Sequence, residues 1–209
     1  MLVLRSILCA TVLTALMLGL TSAPSYALNI GDSVIVEVRD AAGNLTPDWA
    51  ATVGTWANSS GKSTAAGLSG TGSLYGSTYR SIVGLKEGTL TVPTPEWGTY
   101  EVFVTWGANA NRRSPILHRV DHANGTASVN VDQSAAANTW VPLGTYEFLA
   151  GTDKAVITIS NANIDLSGSM YADAAKLTLT TIIPEPSSLL ALGTGLTAMA
   201  GFVMRRRRV

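Results

Sequence analysis

Five tryptophans, two histidines and a scatter of carboxylates are the side chains of this 209-residue sequence that could do chemistry. An exposed indole offers an apolar face with a negative quadrupole, a surface on which the C–H face of a sugar ring can stack. Trp49 follows Pro47-Asp48, and Trp97 follows Pro93 and Pro95, so both belong to turns and are the candidate carbohydrate contacts. Trp56, Trp106 and Trp140 read as packing residues, Trp106 because it ends an alternating apolar face. His118 and His122 are four apart. On an extended strand they share a face about 13 Å apart, too far to hold one zinc ion, and they read as two exposed hairpin residues. Asp132 and Gln133 end a strand, and Asp173 sits on an otherwise apolar face. A buried carboxylate needs a hydrogen-bond partner, so the expected work of these residues is to tie loop N–H groups near one end of the fold. Oxygen-rich loops suit Ca²⁺, but an Asp-x-Asp-x-Asp run is absent, and no metal or cofactor is assigned.

Catalysis finds little support in the same residues. No Gly-x-Ser-x-Gly elbow is present, and the single cysteine, Cys9, lies in the first apolar segment. A glycosidase needs two carboxylates at a defined separation. Glu37, Glu87, Glu96, Glu101 and Glu147 are available, but spacing alone puts no two of them together. Gly70-Thr71-Gly72 lacks the lysine of a phosphate loop. No catalytic residue is assigned.

The two ends of the chain carry different information. Residues 1–27 read as a secretory signal peptide: Arg5, an apolar Ile7–Leu20 helix, then Ser25-Tyr26-Ala27 with small residues at the cleavage positions. This implies the Sec translocon and signal peptidase as partners. Residues 184–209 begin with Pro184-Glu185-Pro186, which end any preceding strand because proline lacks an N–H. An uncharged run to Met204 follows, long enough as a helix to nearly cross a bilayer, and Arg205, Arg206, Arg207 and Arg208 form a cytoplasmic stop. This order of motif, span and arginine cluster closely resembles the PEP-CTERM sorting signal of Gram-negative bacteria. The resemblance implies recognition by an exosortase, a transient inner-membrane anchor, and delivery to the cell surface or an extracellular matrix rich in exopolysaccharide.

Between the ends lie residues 28–183, a single domain by length. Of 14 Lys+Arg, nine fall in this body, and of 14 Asp+Glu, thirteen, so it carries a net charge of −4. It has no basic stripe, which argues against a nucleic-acid partner. Short alternating runs separated by Gly, Asn, Pro and Asp predict eight or so strands. Ser33–Val38 opens the domain, and Gly61–Gly76 reads as a long loop. Tyr100, Val102, Val104 and Trp106 share one strand face, with Phe103 on the other, which predicts a central strand covered on both sides. Ala123-Asn124-Gly125 predicts a hairpin with a type I′ turn. Trp140–Phe148 reads as a strand pair or a strand bent at Gly144, and Tyr171–Thr180 as the closing strand. The predicted fold is all-β, a single antiparallel, jelly-roll-like β-sandwich flanked by a signal helix and a transmembrane helix.

Four blocks carry a second resemblance. They are Gly98-Thr99-Tyr100-Glu101-Val102-Phe103-Val104-Thr105-Trp106, Val129-Asn130-Val131-Asp132-Gln133, Trp140 through Phe148 with Leu143-Gly144, and Tyr171-Ala172-Asp173-Ala174. In this order they resemble the golvesin and xanthan-lyase carbohydrate-binding-like domain, over about residues 53–179. The resemblance implies a β-sandwich that usually accompanies an enzyme. It also implies structural roles for Tyr100, Trp106, Asp132, Gln133, Trp140, Gly144 and Asp173. The resulting expectation is an exported, non-catalytic surface or matrix protein that associates with exopolysaccharide. A self-associating architectural protein and a polysaccharide lyase or hydrolase are the alternatives.

Overall fold

Alternation of apolar and polar side chains places strands along most of residues 28–150 and 154–184, the residues described by this computed structural model. The signal segment 1–27, the span and the arginine cluster lie outside the described residues, so the two flanking helices do too. Twelve strands form among the described residues: β1 (Ser33–Glu37), β2 (Trp49–Val53), β3 (Ala57–Ser59), β4 (Ser73–Tyr79), β5 (Glu87–Val92), β6 (Gly98–Thr105), β7 (Ile116–His122), β8 (Gly125–Val131), β9 (Val141–Phe148), β10 (Ala155–Ser160), β11 (Asp165–Ala172) and β12 (Ala174–Ile182). One helical turn, α1 (Arg80–Val83), interrupts them. A four-stranded sheet runs β1-β12-β6-β9, a five-stranded sheet β2-β5-β10-β7-β8, and a small sheet β11-β4-β3. All the strand ladders are antiparallel.

The core lies where the two larger sheets face each other. Tyr100, Val102, Val104 and Trp106 are buried in one cluster with Leu90, Val92, Val120, Ile157 and Leu177. Each such aliphatic side chain stabilises the fold by roughly 1.5–3 kcal/mol on leaving water. As expected, β6 is an interior strand. Its second face is covered differently from its first: Phe103 is half-buried beneath Lys176, whose Nζ lies 4.5 Å from the Phe103 ring centre and 4.8 Å from that of Trp140. The loop over residues 60–72 adds to that cover, since Ala66 O accepts the Trp140 indole N–H at 3.3 Å.

Three expectations need correction. The loop over Gly61–Gly76 is shorter than its composition suggests, because Ser73–Gly76 enter β4, where Ser73 pairs with β3 and Leu74–Gly76 with β11. The closing strand is two strands: Ala172 ends β11, Ala174 begins β12, and the chain passes at Asp173 from the small sheet to the four-stranded one. The β7–β8 hairpin forms, but positive φ falls on Gly125 alone (+123°) and not on Asn124, so the turn is not type I′. The Trp140–Phe148 segment is one strand bent at a bulge. There Val102 pairs with Gly144 and Phe103 with Pro142, and Gly144 takes φ +134°.

Candidate functional site

Strand ends from both large sheets converge at one end of the sandwich. In the four-stranded sheet Ile182 pairs with Gly98, and Gly98 with Phe148. In the facing sheet Val92 pairs with Ala155, and Val156 with Asp121. The β7–β8 turn bridges the layers: Ala123 N–H donates to Glu147 O at 2.9 Å.

Trp97 sits here, in the turn between β5 and β6, where Pro93 and Pro95 restrict the backbone. Its half-buried indole donates Nε1–H to Glu147 Oε1 at 3.0 Å, and Asn124 Nδ2 donates to Glu147 Oε2 at 3.4 Å. One carboxylate therefore fixes the indole and the hairpin turn together. The His122 ring stacks on Tyr146, with centroids 4.8 Å apart and planes 23° apart. His122 Nδ1 accepts the Asn124 N–H at 3.3 Å, which leaves Nε2 as the donor of that ring. Beside these residues a concavity of about 380 Å³ is walled by Thr91, Asp121, His122, Phe148 and Lys154. Asp121 Oδ1 accepts the Thr126 hydroxyl at 2.6 Å, and Oδ2 is left as an acceptor. The volume suits a small ligand. The stacked His122 ring, beside an acceptor (Asp121) and a donor (Lys154), can pack a ring face and hydrogen-bond its hydroxyl groups.

Of the two tryptophans expected at the surface, only Trp97 is there. Trp49 is 7% exposed and packs edge-on against Trp56, with ring centres 5.1 Å apart. Gly88 on the neighbouring strand makes room for it, since a Cβ there would sit 2.1 Å from the indole. His118 is likewise not an exposed hairpin residue. It is fully buried, its Nδ1 lies 3.2 Å from Ile116 O, and burial pushes its pKa down to about 4, so the ring is neutral.

The remaining motif residues act on the fold, most of them around the opposite ends of these strands. Gln133, fully buried, donates Nε2–H to Tyr171 O at 2.8 Å and accepts the Tyr171 N–H at 2.7 Å, so its amide stands in for a strand. Trp106 donates its indole N–H to Gln133 O at 3.0 Å. Asp173 accepts the Ser63 N–H, and burial, with the Glu37 carboxylate adding to it, pushes its pKa up to about 7. Asp132 is exposed and bonds the Ser134 hydroxyl and N–H, the hydroxyl bond being the main cause that holds its carboxyl below the usual range. Tyr100 donates its hydroxyl to Glu96 O at 2.8 Å, which ties the turn before Trp97 to β6. Nothing in the spacing announced that Glu147 would join Trp97 to Asn124, or that His122 would stack on Tyr146. Only the antiparallel register brings them together.

This arrangement of sheets and blocks can be set beside known proteins. The Golvesin C-terminal domain family matches residues 34–179. The chain belongs to that family. Its golvesin domain holds the four blocks on β6, β8 with the residues after it, β9, and the β11–β12 passage. The PEP-CTERM protein-sorting motif matches residues 183–208, which implies export, membrane-anchored sorting and processing by an exosortase. Xanthan lyase of Bacillus sp. (strain GL1) is 34% identical over 148 residues, 69% of this chain and 14% of that protein. The structure of Paenibacillus xanthan lyase superposes with a TM-score of 0.56 at 33% identity, covering 76% of this chain and 14% of that one. The golvesin domain thus spans about one seventh of each relative, and the likeness carries no lyase activity across to this chain.

Proposed function

We propose that this chain is an exported, non-catalytic surface or extracellular-matrix protein that contacts exopolysaccharide through the Trp97 end of its sandwich. The observation that carries this reading is the Trp97–Glu147–Asn124 brace beside the concavity of Asp121, His122 and Lys154. An indole held in place before ligand arrives loses little freedom on binding. The polar groups around it match hydroxyls rather than one reacting bond. The sorting motif supports the reading, because a chain that is exported and sorted through the membrane would meet surface polysaccharide. The partners that follow are the Sec translocon and signal peptidase at the first end, an exosortase and the inner membrane at the second, and exopolysaccharide at the site.

The test is retention of the secreted protein in gels cast with the purified exopolysaccharide of the producing strain. Trp97→Ala should weaken retention by about tenfold, equivalent to about 1.4 kcal/mol. Absence of retention by the wild type at millimolar sugar would sink the carbohydrate reading. A second reading, self-association, draws on the exposed apolar side chains Ile82 (71%) and Leu166 (58%) near α1 and the start of β11. Sedimentation of the same sample separates the two.

A further inference from the structure

The brace on Trp97 ends in Asn124-Gly125, the single Asn-Gly pair of the chain. Each residue has its own reason to be there. Asn124 supplies the Nδ2–H that reaches Glu147 Oε2, so this position needs a short side chain with a donor. Gly125 takes φ +123°, a backbone region that residues with a Cβ rarely adopt. The turn and the brace together therefore put an asparagine immediately before a residue with no side chain.

That order is chemically unstable. An asparagine amide carbon can close a five-membered ring onto the next backbone nitrogen, and in most Asn-X pairs the side chain of X shields that nitrogen. Here Asn124 and Gly125 are both exposed, and the place a Cβ would take on Gly125 has no atom beyond its chain neighbours within 4 Å. Asn124 itself is held loosely. Its N–H reaches His122 Nδ1 at 3.3 Å and its Nδ2 reaches Glu147 at 3.4 Å, both long for hydrogen bonds. The firmer contact, Ala123 N–H to Glu147 O at 2.9 Å, lies one residue earlier. Turning the Asn124 side chain from Glu147 toward the Gly125 nitrogen gives up only the longest of the three.

We infer that Asn124 is a self-modification site, and that its conversion to aspartate or isoaspartate releases Trp97 from its brace. The Gly125 nitrogen gives its proton to solvent and bonds to Asn124 Cγ. The Cγ–Nδ2 bond breaks, and Nδ2 leaves as ammonia with a proton from water. Water then adds to one carbonyl of the resulting succinimide ring. Opening at Cγ gives aspartate, and opening at the main-chain carbonyl gives isoaspartate, whose backbone runs through Cγ. One water is consumed, one ammonia is released and nothing is oxidised. Aspartate puts a carboxylate where Nδ2–H faced Glu147, and two carboxylates at hydrogen-bond separation repel. Isoaspartate adds the same charge and lengthens the main chain at the hairpin tip. In both products the Glu147 side chain is driven off, and the Trp97 indole N–H loses its acceptor.

The experiment ages the purified chain in mildly alkaline buffer. Peptide mass mapping reads the exchange of an amide NH₂ for OH at each asparagine. Two-dimensional NMR follows the Trp97 indole N–H, assigned through Trp97→Phe. Asn124 should convert at least roughly tenfold faster than Asn44 or Asn130, which precede Leu45 and Val131. The Trp97 resonance should shift in step with that conversion, and fresh Asn124→Asp should show a displaced resonance from the start. Asn124→Gln, which would have to close a six-membered ring, should stay unconverted and keep its starting resonance through the same incubation. Conversion of Asn124 no faster than that of Asn44 and Asn130 overturns the inference, as does full conversion with an unmoved Trp97 resonance. Neither readout depends on whether the site takes sugar, so failure of the carbohydrate reading leaves this inference standing.

Discussion

Replacing Asp173 with asparagine should erase a pH dependence that the wild-type fold carries. Asp173 is 3% exposed, and burial pushes its carboxyl up to about 7. The Glu37 carboxylate adds to the rise, while the Ser63 N–H and the Lys62 ammonium pull against it. In the unfolded chain the group returns to its ordinary value of 3.8. A folded-state value above the unfolded one means that folding favours the protonated acid. Its contribution is full below pH 3.8 and is lost as pH rises through about 7. The whole span corresponds to about 4 kcal/mol. At about pH 5 the unfolded group is already mostly ionised, so roughly 2–3 kcal/mol falls between about pH 5 and pH 8. Urea unfolding across that range, followed by tryptophan fluorescence, measures it directly. Buried, neutral His118 acts in the opposite sense over the lower part of this range, because burial holds it at about 4 in the fold against an ordinary 6.5. The quantity to read is therefore wild-type stability minus that of Asp173→Asn, which should fall by roughly 2–3 kcal/mol from about pH 5 to pH 8. A variant with the wild-type slope refutes the assignment of the buried acid.

Other substitutions separate core from surface. Trp49→Ala should cost about 3–5 kcal/mol in chemical denaturation, as for a large core aromatic, and leave Trp97-dependent retention intact in the folded fraction. A cost under about 1 kcal/mol would return Trp49 to the surface. Gln133→Leu should cost about 2–4 kcal/mol, because it strips partners from the buried N–H and C=O of Tyr171. The more conservative Gln133→Glu should then restore at most one of those two bonds, a difference visible in the same denaturation series. Gly144→Ala should destabilise by about 1–3 kcal/mol, since φ is +134° and the new Cβ would meet the Tyr146 hydroxyl at 2.6 Å. An unchanged midpoint would show that the β9 bulge can relax.

What could be read in advance, and what could not, has a physical pattern. The face Tyr100-Val102-Val104-Trp106 was legible because one side of β6 meets the core at every second residue. The β7–β8 hairpin was legible from local turn residues. Strands β4 and β11 were not, because Ser73-Leu74-Tyr75-Gly76 and Ser167-Gly168-Ser169-Met170 carry the small residues typical of loops. Their pairing with each other, far apart in sequence, makes them strands. Trp49 was misplaced because Pro47-Asp48 points to a turn, whereas the slot that swallows its indole is made by Gly88 on another strand. His118 was misplaced because nothing in Leu117-His118-Arg119 shows which face turns inward. The candidate site divides the same way. Trp97 was visible from its prolines, but its brace joins residues 50 and 23 positions apart, Trp97 to Glu147 and Asn124 to Glu147.

The place where the tail joins the body has a mechanical consequence. Strand β12 lies inside the four-stranded sheet, laddered to β1 along one side and to β6 along the other. Tension on an anchored tail pulls β12 along its own axis. Antiparallel ladder bonds run across that axis, so they are loaded together in shear and do not open one after another. Cell-surface drag or a taut polysaccharide would therefore meet the resistance of two ladders at once. A tail hung from the edge strand β9 would engage only one. The body is mounted on its tether by the strand best placed to bear a load.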